Sequence, residues 1–254
     1  MAKKEEGLQR MEGAGALEMP DFLKEEGRQG LEHVTSQDIA IPRIAIAQAT
    51  SPQVQEGKPE FMEDLKVGHM FNTVTQEIYG KGPLPFTIIQ AFPPRWVEFH
   101  PRDEGGGVKD PSVPANDPRT QFGENGEPPI ATKFYDFLIA LLPLREPPIE
   151  SVVALSFKSA MLKIGRQLNM LMVSRNKPPY AGVYSLSSVM TSNAKGTFGI
   201  YQVKNNGWIN DAGLYAACKQ LHESFKNMNV TIHREQTEEG DTSFDPAAME
   251  QSDM

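Results

Sequence analysis

Hydrophobic positions along the chain switch between two-residue alternation and helical spacing, and each switch marks an element. Near residue 40, Ile41, Ile44, Ile46 and Val54 flank Pro42 and Pro52. Proline supplies no ladder donor, so the pattern predicts a short extended opening strand broken at the Ser51-Pro52 turn. Residues 70–75 read Met-Phe-Asn-Thr-Val-Thr, and an apolar run at 84–90 follows the turn formers Gly80-Lys81-Gly82-Pro83. These predict a hairpin or two sequential strands. After Pro93-Pro94, residues 95–100 predict another strand, with Val97 and Phe99 on one face. Alternation then sets Trp96 on the more polar face, with Glu98 and His100.

Two short apolar runs, 134–142 and 151–157, predict buried neighbouring strands, because they are rich in β-branched and aromatic residues and bounded by turn formers. Phe134, Phe137, Phe157 and Phe198 are expected in the core. Residues 180–190 and 196–204 predict two further strands, joined by a loop of turn formers at 191–195. Ser159 is placed to cap a helix running to about residue 174. Its inward stripe is Met161, Ile164, Leu168, Leu171 and Met172, with Lys163, Arg166 and Met170 on the other side. Pro178-Pro179 stops it. A last helix, capped by Asn210 or Asp211, carries the stripe Leu214, Cys218, Leu221 and Phe225. Residues 230–232 are expected to add a short closing strand. Residues 101–130 hold Gly105-Gly106-Gly107, several prolines and many polar groups, and are expected to form a long surface loop.

No period of 20–50 residues repeats. The sum is a mainly β chain with two inserted helices, an α+β protein. The turn lengths favour antiparallel pairing, and the expected architecture is an OB-like antiparallel barrel with elaborations. The expected domains are a flexible acidic segment at 1–37, one domain at 38–233 and an acidic disordered tail at 234–254.

Charge sharpens this division. The whole chain is −8, yet residues 133–204 carry Lys133, Arg145, Lys158, Lys163, Arg166, Arg175, Lys177, Lys195 and Lys204 against Asp136, Glu146 and Glu150. Residues 234–254 carry Arg234 against Glu235, Glu238, Glu239, Asp241, Asp245, Glu250 and Asp253. A basic middle between acidic ends suits a domain that binds a polyanion, and equally a solvated basic face with disordered termini. No apolar run approaches the roughly 18 residues that span a bilayer, and no apolar stretch follows the first residues as a secretory signal would require. A single cysteine, Cys218, excludes an internal disulfide framework and a multi-cysteine zinc site. The expected location is the cytoplasm.

Catalytic motifs are scarce. There is no phosphate-binding Gly-x-x-x-x-Gly-Lys-Ser/Thr loop, no His-Glu-x-x-His and no Gly-x-Ser-x-Gly elbow. His33, His69, His100, His222 and His233 show no ligand spacing. Cys218 falls on the apolar stripe of the last helix, as a core residue rather than a nucleophile. A non-catalytic protein without metal or cofactor is therefore expected, ahead of a nuclease or a nucleotide-modifying enzyme.

Binding is better provided for. Single-stranded nucleic acid is held by cations that follow phosphates and flat side chains that stack on bases. Lys133 adjoins Phe134 and Tyr135, Lys177 precedes Tyr180 and Tyr184, and Lys204 lies between Tyr201 and Trp208. Arg95 adjoins Trp96 on a strand. The candidate phosphate contacts are Arg95, Lys133, Lys158, Lys163, Arg166, Arg175, Lys177 and Lys204, and the candidate stacking residues are Trp96, Tyr135 and Tyr184. The rival from another class is a structural or assembly protein that uses the same β core for protein contacts.

The order of these segments is similar to that of a known group. An opening Ile41-Pro42-Arg43-Ile44 with Ser51-Pro52 leads to residues 71–75, then Trp96-Val97-Glu98-Phe99. Ser156-Phe157-Lys158-Ser159 follows before a helix and an acidic C-terminus. Over about residues 38–254 this resembles the single-stranded-DNA-binding proteins of tailed bacteriophages. The resemblance implies an OB-type core and coating of single strands during phage replication and recombination. It also implies an acidic tail that regulates access or contacts replication and recombination proteins.

Overall fold

The computed structural model describes residues 41–101, 105–193 and 196–227. Their strands are β1 (Ile44–Ile46), β2 (Met70–Asn72), β3 (Ile78–Gly80), β4 (Leu84–Ala91), β5 (Arg95–Phe99), β6 (Val108–Val113), β7 (Thr132–Leu141), β8 (Val152–Lys158), β9 (Gly182–Asn193) and β10 (Gly196–Trp208). The helices are α1 (Leu162–Arg175) and α2 (Ala212–Asn227). The described residues are thus mainly antiparallel β with two helices, as the patterning predicts. The expected strand at 230–232, the acidic segment at 1–37 and the tail at 234–254 lie outside the described residues.

The larger sheet runs in the order β10-β9-β4-β7, with β8 on the free side of β7 and β5 and β6 continuing beyond its start. Both β4 and β5 lie along one edge of β7. Ala91 faces Phe137, Phe92 N–H donates to Asp136 C=O at 3.0 Å, and Arg95 faces Phe134. Pro93 and Pro94 interrupt what is otherwise one long edge pairing, because neither can donate to β7. On the other edge, β7 pairs with β8 from Phe134–Lys158 to Ala140–Val152. The predicted buried strands are therefore neighbours, β7 at the centre of the sheet with partners on both edges and β8 outside it.

A smaller sheet, β1-β2-β3, closes against this one. Residues 70–75 and 84–90 do not form a hairpin with each other. Residues 70–72 pair with β1 and with the short β3, while β4 belongs to the larger sheet. The residues flanking β1 touch both outer strands. Ala154 N–H donates to Pro42 C=O at 2.7 Å on the β8 side. On the β10 side, Gln48 Nε2 donates to Gly199 C=O at 3.0 Å and Gly199 N–H donates to Gln48 Oε1 at 2.8 Å. Gly199 permits this approach, since a Cβ there would lie 2.6 Å from Ile46 Cγ2.

The main core fills the space between the sheets with Ile44, Ile46, Phe86, Ile88, Phe137, Ile139, Leu155, Phe157, Tyr184 and Tyr201. Each such side chain contributes about 1.5–3 kcal/mol by leaving water. Phe134, Phe137 and Phe157 are buried as expected, whereas Phe198, near the far end of the β9–β10 hairpin, is only half-buried.

α1 begins two residues later than predicted, with Met161 rather than Ser159 at the N-cap, because Ser159–Met161 forms a 3-10 turn. Its predicted inward stripe holds: Leu168 is fully buried, while Lys163, Arg166 and Met170 are exposed. Gly165 lets the helix sit directly on β7 and β8, since a Cβ there would meet Tyr135 at 3.0 Å and Phe157 at 3.2 Å. Asn176, in the left-handed region at φ 48°, ends the helix. At α2, Asp211 Oδ1 accepts from Leu214 N–H at 2.6 Å and caps the first turn. Cys218, Leu221 and Phe225 pack on Ile89, Leu138 and Ala140 of the larger sheet. No helix among the described residues is long and apolar enough to cross a membrane.

Candidate nucleic-acid interface

The register of three strands gathers cations and rings at one end of the larger sheet. Across β5, β7 and β8, Arg95, Phe134 and Lys158 occupy one row, and Trp96 faces Lys133 in the next. Arg95 Cζ lies 4.6 Å from the centre of the Phe134 ring and Lys158 Nζ 5.8 Å from it. Phe99 packs on Phe134 at 6.3 Å and has Lys158 Nζ at 6.0 Å. Lys133 Nζ sits 5.4 Å from Trp96 and 5.3 Å from Tyr135. Cations over rings are attracted by the ring quadrupole, which orients them without neutralising their charge.

Arg95 is also held from below. Its Nε donates to Asp136 Oδ2 at 2.6 Å, and Asp136 Oδ1 accepts from Ser156 Oγ at 2.5 Å. Asp136 is buried at 2% exposure, so the pair is protected from solvent screening on one side. Arg95 Nη2 is buried with no hydrogen-bond partner among the described residues. The fork is therefore fixed at one nitrogen and unmatched at another. Arg95 acts first as a structural partner of Asp136, rather than as the freely exposed cation expected from sequence.

Residues 105–130, expected to belong to a long surface loop, are built, not loose. They contain β6 and a 3-10 turn at Pro118–Thr120. Pro111 and the preceding glycines hide this strand from a sequence reading, yet β6 is an edge strand, where proline is tolerated. The register of β5 and β6 shifts on either side of Pro111, between the Trp96–Val113 and Glu98–Asp110 pairs. Buried Glu98 anchors the segment by accepting from Lys109 Nζ at 2.6 Å and from Arg119 Nη1 at 2.6 Å. Arg119 also reaches Asp110 at 3.0 Å and Asp117 at 2.8 Å.

Hydrogen bonds from Arg119 hold the Asp117 carboxyl down to about 2, and those from Lys109 and Arg119 lower Glu98. Both carboxyls titrate lower in the fold than when free, so their contribution is complete above the ordinary carboxylate range. It is lost as pH falls through that range towards about 2 for Asp117. Acidification from pH 5 to pH 2 should therefore release β6 before the rest of the larger sheet, measured as faster amide hydrogen exchange at Val108–Val113 than on β7. Equal protection of both strands at pH 2 would show that the ion network does not hold β6.

The remaining expected contacts divide. Tyr184 is fully buried and Tyr135 is buried at 8% exposure, so neither is available as a stacking surface. Both point inward because strand alternation places them with Phe137 and Leu186 in the core. Arg175 is engaged within the fold. It donates to Tyr184 Oη at 3.2 Å, to Gly207 C=O at 2.8 Å and to Asn205 Oδ1. Trp96 is half-buried beside Lys133. Lys163, Arg166, Lys177 and Lys204 are exposed and have no acidic partner among the described residues.

Sequence reasoning missed two parts of this arrangement. Phe99 shares the strand face of Val97, but nothing in the sequence singles it out as a site residue, and its ring packs on Phe134 beside Lys158. Trp208 is 51% exposed, and its position after Asn205-Asn206-Gly207 is the available signal, since a turn leaves the next ring at the sheet margin. Cys218 is buried in the second core cluster, and burial pushes its thiol up to about 11. No group of three or more potential metal ligands occurs among the described residues.

Sequence comparison places this arrangement in a phage protein. The family model that matches spans residues 11–231, and the chain belongs to that family, the Pam3 phage gp34-like proteins. Neither a curated protein nor a solved structure shows significant similarity to the chain.

Proposed function

We propose that this phage protein is a non-catalytic, sequence-tolerant single-stranded-DNA-binding protein whose larger sheet is an OB-type barrel. The strand path supports that barrel. β4, β7 and β8 follow one another as antiparallel neighbours, α1 intervenes, and β9 and β10 return to the other side of β4. An OB-type barrel binds oligonucleotides across its second and third strands and the loops that join strands one to two and four to five. In that correspondence β7 and β8 are strands two and three, and the β5–β6 insertion is the first of those loops.

The observation that carries the reading is the clustering of rings and cations at that end of the sheet, on those two strands and that loop, with Trp96 and Lys133 on one face and Arg95, Phe99, Phe134 and Lys158 on the other. Lys133 faces phosphate while Trp96, on the same face of the sheet, offers a ring to a base. Such a surface serves any sequence, because every base has a flat face and every nucleotide a phosphate. The protein acts in phage replication and recombination in the host cytoplasm. Its acidic tail at 234–254 competes with DNA for the basic surface or docks partner proteins.

Fluorescence anisotropy of labelled oligothymidine, at low and high salt and against a duplex of equal length, tests the reading. Salt-sensitive binding that favours the single strand is expected. Absence of binding at low salt, with and without residues 234–254, would overturn it in favour of an assembly protein. Trp96→Ala should weaken oligothymidine binding by about 5- to 150-fold, the range for losing one stacked base. An unchanged affinity would remove Trp96 from the interface.

A further inference from the structure

Outside the array at the start of β7, the structure holds a second ring–cation assembly at the opposite end of α1. Arg175, in the last turn of that helix, lies between two rings, with Cζ 4.5 Å from the centre of Trp208 and 4.8 Å from that of Tyr184. The guanidinium cannot swing away, because Tyr184 Oη, Asn205 Oδ1 and Gly207 C=O all accept from it. Gly182 leaves it room, since a Cβ there would overlap Arg175 Nη1. Tyr184 is fully buried, while Trp208 is 51% exposed. The result is an indole backed by a fixed cation and open to solvent.

An aromatic ring left half in water forgoes burial that a core position would supply. Here its neighbours are suited to a nucleotide. Lys177, two residues beyond Arg175, is exposed, as is Lys204 on β10, and neither has an acidic partner among the described residues. Asn205, Asn206 and Gly207 form the adjoining bulge, with Asn206 Oδ1 accepting from Ser185 Oγ at 3.4 Å. We infer that Trp208, backed by Arg175, is a second stacking position for a base of the bound single strand. This deepens the proposed function and rests on it.

The helix sets the separation. Gly165 rests on Tyr135, whose ring neighbours Lys133, and Arg175 is ten residues further along α1. At about 1.5 Å per residue the two assemblies are roughly 15 Å apart along the helix axis. A stacked strand rises about 3.4 Å per nucleotide, so a strand needs more than about four nucleotides to occupy both. Lys163 and Arg166 are exposed along the intervening helix face.

The chain has two tryptophans, Trp96 and Trp208, so each can be observed alone. Trp208 fluorescence in Trp96→Phe should be quenched by oligothymidine of 12 nucleotides and not by one of three, when the longer oligomer is at saturation by anisotropy. Trp208→Ala should weaken binding of the longer oligomer by about 5- to 150-fold and leave the shorter one unchanged. Circular dichroism and thermal unfolding of each variant separate loss of contact from loss of fold. Trp208→Phe serves as the conservative variant and should restore most of the affinity. Bound oligomer that quenches Trp96 in Trp208→Phe but leaves Trp208 unquenched in Trp96→Phe would overturn this inference alone. No anisotropy change with the unaltered chain would overturn both this inference and the function it rests on.

Discussion

Oligothymidine should bind this protein about a hundredfold more weakly when monovalent salt rises from about 50 to about 200 mM. The reason lies in which cations the fold leaves for DNA. Arg95 is committed to Asp136, Arg145 to Glu77, and Lys109 and Arg119 to Glu98, Asp110 and Asp117. Arg175 is bound to Asn205, Gly207 and Tyr184. Those charges are already matched or fixed, so phosphate displaces few counterions at them. Lys133, Lys163, Arg166, Lys177 and Lys204 have no acidic partner among the described residues. If about five phosphates are neutralised, the single-strand slope of log affinity on log salt is about −3.5, and a fourfold rise in salt gives the hundredfold loss. Removing Lys133 and Lys163 together should flatten that slope by about 1.4, whereas Lys109→Ala should leave it unchanged. Titrations at several salt concentrations read both. A slope near zero for the unaltered chain would mean that phosphate contacts do not hold the strand.

Phe157→Ala should lower unfolding free energy by about 3–5 kcal/mol, the largest stability loss expected from a single truncation here. Phe157 is fully buried and meets Phe137 and Tyr201 edge-on at 5.7 and 5.9 Å. Its Cβ also lies beneath Gly165 at the seat of α1, and alanine keeps that contact, so the loss comes from the ring. Truncation removes the ring and leaves a space that the surrounding strands cannot close, because their hydrogen-bonded register fixes their spacing. The control is Val173→Ala on the same helix, where the side chain is 80% exposed and a change within about 0.5 kcal/mol is expected. Urea unfolding followed by far-ultraviolet circular dichroism measures both. A loss under about 1 kcal/mol for Phe157→Ala would show that the core repacks around the gap.

Much of the framework was legible before any coordinates. β4, β5, β7, β8, β9 and β10 all fall on runs picked out by alternation or by short apolar length, and both helices fall on 3.6-residue stripes. These signals are strong because one buried face imposes a period on a continuous segment. β3 and β6 were not legible. β3 has three half-buried residues, and β6 carries a proline and exposed polar groups. Both owe their form to pairing with the preceding strand rather than to a pattern of their own, β2 for the first and β5 with its Glu98 network for the second.

The candidate interface divides in the same way. Composition and local order were enough to single out Arg95, Trp96, Lys133 and Lys158, because cations beside rings are visible in one dimension. They could not separate Tyr135 and Tyr184 from Trp96, since exposure of an aromatic depends on what the opposite sheet and α1 cover. Nor could they show that Arg175 is fixed by groups about 30 residues away or that Asp136 holds Arg95 across 41 positions. The sequence by itself determined the α+β class, the helix faces and the basic middle, because those follow from periodicity and charge along a single segment. Only the tertiary structure decided which cations are already paired, which rings remain open and where they gather, because pairing and burial are set by strands that meet through space rather than along the chain.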